Sequence, residues 1–260
     1  MKNYGDISTT QLDGFVVLCE IKRGPNNFFD FQLIKDLADC FEDLDASPDC
    51  RSIVLSSEGK HFCAGANFSP SASNVIQRSA DAPNPLYTEA IRLFNNKKPV
   101  IAAVQGAAVG GGFGLALMAD FRVVGPGTRM TANFLKLGFT PGFGLTHTLS
   151  RLIGTQKANL LFMTGRRVKG EEAFDMGLAD LIAADDKIRE EAINLASEIA
   201  TSAPLALLSL REQMRPGLSD AIKQHTDIEG KAQFHLQKTD DHKEGIKAVS
   251  ERRTGNFVGK

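Results

Sequence analysis

Three consecutive glycines, Gly110-Gly111-Gly112, follow the apolar run Val100-Ile101-Ala102-Ala103-Val104 and open a segment that carries Leu115, Ala116 and Met118. Glycines at the start of a helix bring three useful properties together. The first N–H groups have no intrahelical acceptor, the macrodipole places its positive end there, and the missing Cβ atoms let a ligand reach the backbone. Such a site suits an oxygen that carries or acquires negative charge. The same three residues also serve as an ordinary tight turn, and alone they do not decide between the two. A second glycine patch follows at Gly138, Pro141-Gly142 and Gly144, and Phe113, Phe134, Phe139 and Phe143 surround both patches. Four aromatic rings beside a backbone donor site suggest the wall of an apolar pocket, although core packing accounts for any one of them singly.

The elements that must position these residues follow from periodicity. Gly14 to Ile21 is rich in β-formers and stops at Gly24-Pro25-Asn26-Asn27, so it reads as a strand closed by a turn. Leu33, Ile34, Leu37, Ala38, Phe41 and Leu44 recur at helical spacing until Ser47-Pro48 ends the run. Ile53-Val54-Leu55 is a short buried strand, and Leu86, Ala90, Leu93 and Phe94 mark a second helical face. Val100–Val104 is apolar throughout, as a strand covered on both faces would be. Phe121–Val124 is a further strand, so the order is βαβ with parallel strands and the class is α/β. Asn67 to Pro85 lacks periodicity and is expected to be a mobile loop beside a site. From Glu190 onward, three helical stretches are expected, separated by Pro204 and by Pro216-Gly217.

With 260 residues, the chain can bury a core without covalent staples. Thirty basic and thirty-one acidic side chains leave a formal net charge of −1, with no cationic block to track a phosphate backbone. Nucleic acid is therefore not an expected partner. Cys19, Cys40, Cys50 and Cys63 form no CxxC pair and have no histidine at ligand spacing. Neither a zinc site nor a redox dithiol is expected, and buried reduced thiols fit the cytoplasm. Residues 1–11 carry no apolar signal region, and no stretch has the length of a membrane span, so a soluble protein without membrane contact is the expectation.

Several motifs are similar to those of one family in order and spacing. They include His61-Phe62-Cys63-Ala64-Gly65-Ala66-Asn67, Lys97-Lys98-Pro99 with the strand behind it, and Val109-Gly110-Gly111-Gly112. Ala119-Asp120-Phe121-Arg122, Leu137-Gly138-Phe139-Thr140-Pro141-Gly142, Thr164-Gly165-Arg166-Arg167 and Gly177-Leu178-Ala179-Asp180 continue the pattern. Over nearly its whole length the chain resembles the crotonase (enoyl-CoA hydratase/isomerase) superfamily. The resemblance implies a crotonase-like spiral of ββα units over residues 1–195 and a C-terminal helical trimerisation region over 196–260. It implies an acyl-CoA thioester as substrate, no separate cofactor, and a homotrimer or a dimer of trimers. It also implies an oxyanion hole made by Ala66 N–H and Gly111 N–H, with Gly110 beside it. Lys22 and Arg23 would meet the CoA phosphates, with two solvated surface charges as the alternative. Ala64 and Gly65 would lie near the adenine, and Phe257 and Lys260 would close over CoA from a neighbouring subunit unless they form a frayed terminus.

The chain departs from that family where hydratases carry two glutamates, since Gly114 and Phe134 stand at those positions. A glycine and a phenylalanine cannot run a paired-carboxylate acid/base mechanism. Glu89, bordering the apolar face of Leu86, Ala90 and Leu93, is the first replacement candidate; a surface pair with Arg92 is the plainer alternative. Asn133 is a candidate for orienting water or a carbonyl, against a turn-capping role. His147 is a candidate base, against a packed helix histidine. Asn67 stands where many members of the resembled family have an aspartate next to the oxyanion donor. Three functions remain open: a hydratase/isomerase-group enzyme acting through an enolate, a C–C or thioester hydrolase, and a non-catalytic acyl-CoA-binding relative.

Overall fold

Burial on both faces explains why the central strands are apolar without alternation. In the computed structural model, which describes residues 3–68, 79 and 82–260, Ile53 and Leu55 point into the main core. Val54 between them joins Val16, Ile101, Ala103 and Val123 in a second core on the other face. The strands are β1 (Ile7–Gln11), β2 (Val16–Ile21), β3 (Ser52–Ser57), β4 (Val100–Val104), β5 (Ala107–Val109), β6 (Phe121–Val124), β7 (Arg129–Thr131), β8 (Arg167–Lys169) and β9 (Leu181–Ile182). The main sheet has the order β1-β2-β3-β4-β6-β9 and is parallel from β2 to β9, as the βαβ reading expects. At its edge β1 runs antiparallel to β2, with Ile7 opposite Ile21. Its polar Ser8-Thr9-Thr10 carries no apolar run, yet an edge strand needs just one apolar face. A small sheet, β5-β7-β8, stands beside the first and carries the approach to the triple glycine.

The helices are α1 (Phe31–Ala46), α2 (Pro85–Phe94), α3 (Gly111–Met118), α4 (Leu145–Ile153), α5 (Thr155–Thr164), α6 (Gly170–Asp175), α7 (Ile188–Ala200), α8 (Pro204–Met214), α9 (Leu218–Leu236) and α10 (Asp240–Ser250). α1 starts where the Asp30 carboxylate accepts from Leu33 N at 2.9 Å, which satisfies a donor that the helix cannot. α2 has Asn84 as its cap and Pro85 in its first turn, where a missing N–H costs nothing. All eight residues of α3 are buried, which fits its unbroken apolar sequence.

One expectation about the C-terminal part is corrected. Four helices, not three, span residues 188–250, because Thr239 Oγ1 accepts from His242 N at 3.1 Å and starts α10 afresh. The expected division at 195/196 lies within the span of α7. Ile188, Ala192, Ala196 and Ala200 form one buried stripe that covers the second face of the main sheet, so this helix belongs to the core. α9 packs against α2 and α4, and α10 packs against a 3-10 turn at Phe134–Leu137. The C-terminal helices therefore lie over the same end of the fold as the triple glycine. Among the described residues, no single helix is long and apolar enough to cross a membrane.

Candidate active site

The start of α3 is fixed by backbone bonds that the surrounding strands supply. Val109 N donates to Cys63 O at 3.0 Å and Gly110 N to Thr131 O at 2.8 Å. Gly110 caps the helix at φ 55°, ψ −118°, a conformation that is costly for a residue with a Cβ. Facing it, the segment from Ala64 to Ala66 is stitched to the first strand-to-helix loop: Ala64 N donates to Asn26 O and Phe29 N to Gly65 O, both at 3.0 Å. Ala66 and Gly111 both line the cleft between these segments. Among the described residues, neither Ala66 N–H nor Gly111 N–H has a backbone acceptor. Two uncommitted amides, one at the positive end of a helix, form an arrangement suited to an oxyanion.

The cleft has a volume of ≈ 1040 Å³. Gly65, Asn67, Gly110, Asn133 and Phe134 line it together with the two amides, and Ala64 and Arg23 lie along it as well. Phe134 and Phe139 meet edge to face at 5.6 Å, and Phe29 meets Phe143 at 6.1 Å, so two aromatic pairs form an aromatic wall of the cleft. Phe113 is buried but is not part of that wall. Phe29 and Phe143 close over the places where side chains on Gly111 and Gly114 would stand. Phe29 has no periodic signal, because it sits in the irregular stretch before α1.

Other candidates fall outside the cleft. Glu89 does not line it. Its carboxylate is paired with Arg92 at 2.5 Å, and Arg92 also holds Asp39 and Glu42, so these groups form a charge network between α1 and α2. On α2 the neighbours Tyr87, Ala90, Leu93 and Phe94 take the buried positions, and Glu89 lies at the edge of that face, paired with Arg92. Lys22 pairs with Glu20 at 3.6 Å and is half exposed, away from the cleft. Arg23 sits at the rim, tied to Asp6 at 2.7 Å and Asp30 at 2.8 Å. Partial burial works against its charge, but the two carboxylates outweigh that and raise its pKa. An anion approaching Arg23 therefore meets a cation already shared by two acids.

His147 packs on α4 beside His225, with ring centroids 5.1 Å apart, and burial together with that neighbour lowers its pKa. It does not line the cleft. Asn133 lines the cleft and makes no side-chain cap to the turn it precedes. The C-terminal residues fold back on their own chain: Val258 N and Gly259 N donate to the Asp241 carboxylate at 2.7 and 2.9 Å. Of the expected loop Asn67–Pro85, residues 69–78, 80 and 81 lie outside the described residues. Two cleft residues that the sequence reasoning missed are Tyr87 and Gln233, whose side chains share a 2.6 Å hydrogen bond. They come from α2 and α9, and nothing local in the sequence links positions so far apart.

Residues 13–260 match the profile of the enoyl-CoA hydratase/isomerase family. A probable enoyl-CoA hydratase from Bacillus subtilis is 32% identical over 252 residues, which are 95% of this chain and 97% of the relative. A crotonyl-CoA hydratase from Syntrophomonas wolfei is 34% identical over 209 residues, covering 80% of each chain. The fold is similar to a crystal structure of an enoyl-CoA hydratase/isomerase from Pseudoalteromonas atlantica, with a TM-score of 0.86 over 98% of this chain and 100% of that one, at 23% identity.

Proposed function

The chain belongs to the enoyl-CoA hydratase/isomerase family, and from that premise we propose how this member works. It is an acyl-CoA-transforming enzyme of the hydratase/isomerase group. The thioester carbonyl oxygen sits between Ala66 N–H and Gly111 N–H. When a nucleophile adds to the β-carbon of an enoyl thioester, or a proton leaves a carbon conjugated to it, the electron pair moves onto that oxygen. The two dipoles are already oriented and stabilise the charge where it forms; loss of one such donor typically costs about 2.7–4 kcal/mol. The single observation that carries this reading is the pair of cleft-lining amides without a backbone acceptor among the described residues.

The acid/base part differs from that of a glutamate-pair hydratase. Gly114 and Phe134 stand where the paired carboxylates are expected, and Phe134 belongs to the aromatic wall. Among the described residues of that wall no carboxylate stands to activate water, so hydration of a simple enoyl thioester is slow. Exposed apolar residues on α8, Leu205, Leu210 and Met214, support assembly into a trimer or a dimer of trimers. Incubation with a panel of short enoyl-CoA esters, read by mass spectrometry, tests the function by separating water addition, double-bond migration and CoA release. Crotonyl-CoA hydration at ordinary enzyme rates, about 10 per second, would refute the acid/base reading. Recovery of every thioester unchanged would refute the enzymatic one.

A further inference from the structure

Beside the aromatic rings, the cleft wall also carries a buried polar pair. Tyr87 Oη donates to Gln233 Oε1 at 2.6 Å, and Gln233 Nε2 donates to Thr140 O at 2.9 Å. Tyr87, Gln233 and Gly142 all line the cleft, and Gln233 is only 4% exposed. A primary amide carries two N–H donors. Gln233 gives one to Thr140, and the second has no acceptor among the described residues. Close by, Thr140 Oγ1 is a buried hydroxyl oxygen that also lacks a partner among the described residues. Buried donors without acceptors are uncommon in native proteins, because each forfeits its hydrogen bond to water.

Gly142 is what leaves this spot open. It does not have a positive φ, so its backbone conformation does not require glycine. Space does: a Cβ there would collide with Tyr87 Oη and stand 2.6 Å from Gln233 Nε2. Any larger residue would cover the amide and the phenol, whereas glycine leaves them facing the cleft.

We propose that Gln233, braced by Tyr87, selects acyl groups that carry a hydroxyl oxygen remote from the thioester, seated on the uncommitted Gln233 N–H beside Gly142. This assignment rests on the acyl-CoA reading above and adds the class of acyl group. The rest of the wall, Phe29, Phe134, Phe139 and Phe143, favours a planar conjugated chain or ring by stacking and area. A site that offers a buried donor discriminates strongly against an analogue of the same size that lacks the acceptor, because the donor is then stranded.

The test uses two pairs of thioesters in which a hydroxyl is exchanged for a methyl of similar size: 4-hydroxycinnamoyl-CoA against 4-methylcinnamoyl-CoA, and 6-hydroxyhex-2-enoyl-CoA against hept-2-enoyl-CoA. Titration calorimetry on the full-length protein measures each Kd, with free CoA as reference. In at least one pair the hydroxylated member is expected to bind about tenfold tighter, the ratio that one hydrogen bond of about 1.4 kcal/mol supplies. Gln233→Leu and Tyr87→Phe should both bring that ratio toward one, with circular dichroism confirming the fold. Equal affinity within both wild-type pairs would overturn the proposal and leave the acyl-CoA reading standing. Absence of binding by every thioester and by CoA would overturn both. A wild-type preference that survives Gln233→Leu would also overturn the assignment to this amide.

Discussion

Gly114 and Phe143 fill one space between them, and a double-mutant cycle should reveal it. A Cβ built on Gly114 lies 2.9 Å from Phe143 Cδ1, 3.0 Å from its Cβ and 3.1 Å from its Cγ. Phe143 is 1% exposed, and Gly114 sits inside a fully buried helix, so neither has room to yield. In Gly114→Ala, the helix gains about 1 kcal/mol of intrinsic preference, whereas crowding a packed core costs about 1–3 kcal/mol. The net loss is about 0–2 kcal/mol. Phe143→Ala alone removes the ring and should cost about 3–5 kcal/mol. Combined, the new methyl no longer meets a ring, so the crowding disappears and the double variant should be more stable than the sum of the two losses by about 1–3 kcal/mol. Denaturant unfolding of all four proteins at one protein concentration reads this directly, the fixed concentration guarding against any contribution from assembly. Additivity to within about 0.5 kcal/mol would refute the steric argument. The result bears on mechanism. If Phe143 fills the place of a side chain at 114, then Gly114→Glu with Phe134→Glu cannot install a working hydratase pair unless Phe143 is reduced as well.

Other predictions follow from groups away from the acyl wall. The four cysteines are all buried, and burial pushes the Cys63 thiol up to about 12 and that of Cys50 to about 11. With thiolate suppressed and access blocked, dithionitrobenzoate should titrate no thiol rapidly in the native protein at mildly alkaline pH and four in guanidinium; rapid native reaction at Cys63 would contradict the placement. Glu244 is held at about 2 by Arg253 and by Asn256 N, which anchor the C-terminal residues. A carboxylate depressed in the folded state contributes its stabilisation above its unfolded pKa and loses it as pH falls through the folded value. Amide exchange at Asn256 should therefore be slow at neutral pH and quicken as the pH drops from about 4.5 toward about 2; in Glu244→Gln it should already be fast at neutral pH, and unchanged exchange would count against the anchor. Light scattering at micromolar concentration should give three or six chains, and a monomer would remove the role given to the apolar face of α8.

The parts of this fold that were legible in the sequence are those with a strong local signal. The two-sided apolar strand β4, the periodic α1 with its Ser47-Pro48 stop, and the glycines opening α3 were all read from neighbouring residues. What escaped depended on distant partners. β1 is polar and exists because β2 offers an unpaired edge. The short β5, β7, β8 and β9 carry too few residues for a pattern. Thr239 falls inside the last of the three stretches expected after Glu190, where no proline or glycine marks the break that its cap makes. The site shows the same division. Ala66 and Gly111 were named from the resemblance of their motifs to one family, whereas Glu89 was proposed from its position on a helical face, which does not specify the Arg92 network that holds it. Tyr87 and Gln233, 146 residues apart, meet only because α9 returns over α2.

The central claim is that Ala66 N–H and Gly111 N–H polarise a thioester carbonyl, and vibrational spectroscopy reports on that bond itself. Difference infrared spectra of crotonyl-CoA carrying a heavy-carbon label at the thioester carbonyl, free and bound to the protein, isolate its C=O stretch from the protein background. Two oriented donors draw electron density onto the oxygen and weaken the bond, so the account predicts a bound stretch at lower frequency than in water. A bound stretch at or above the aqueous frequency would contradict it.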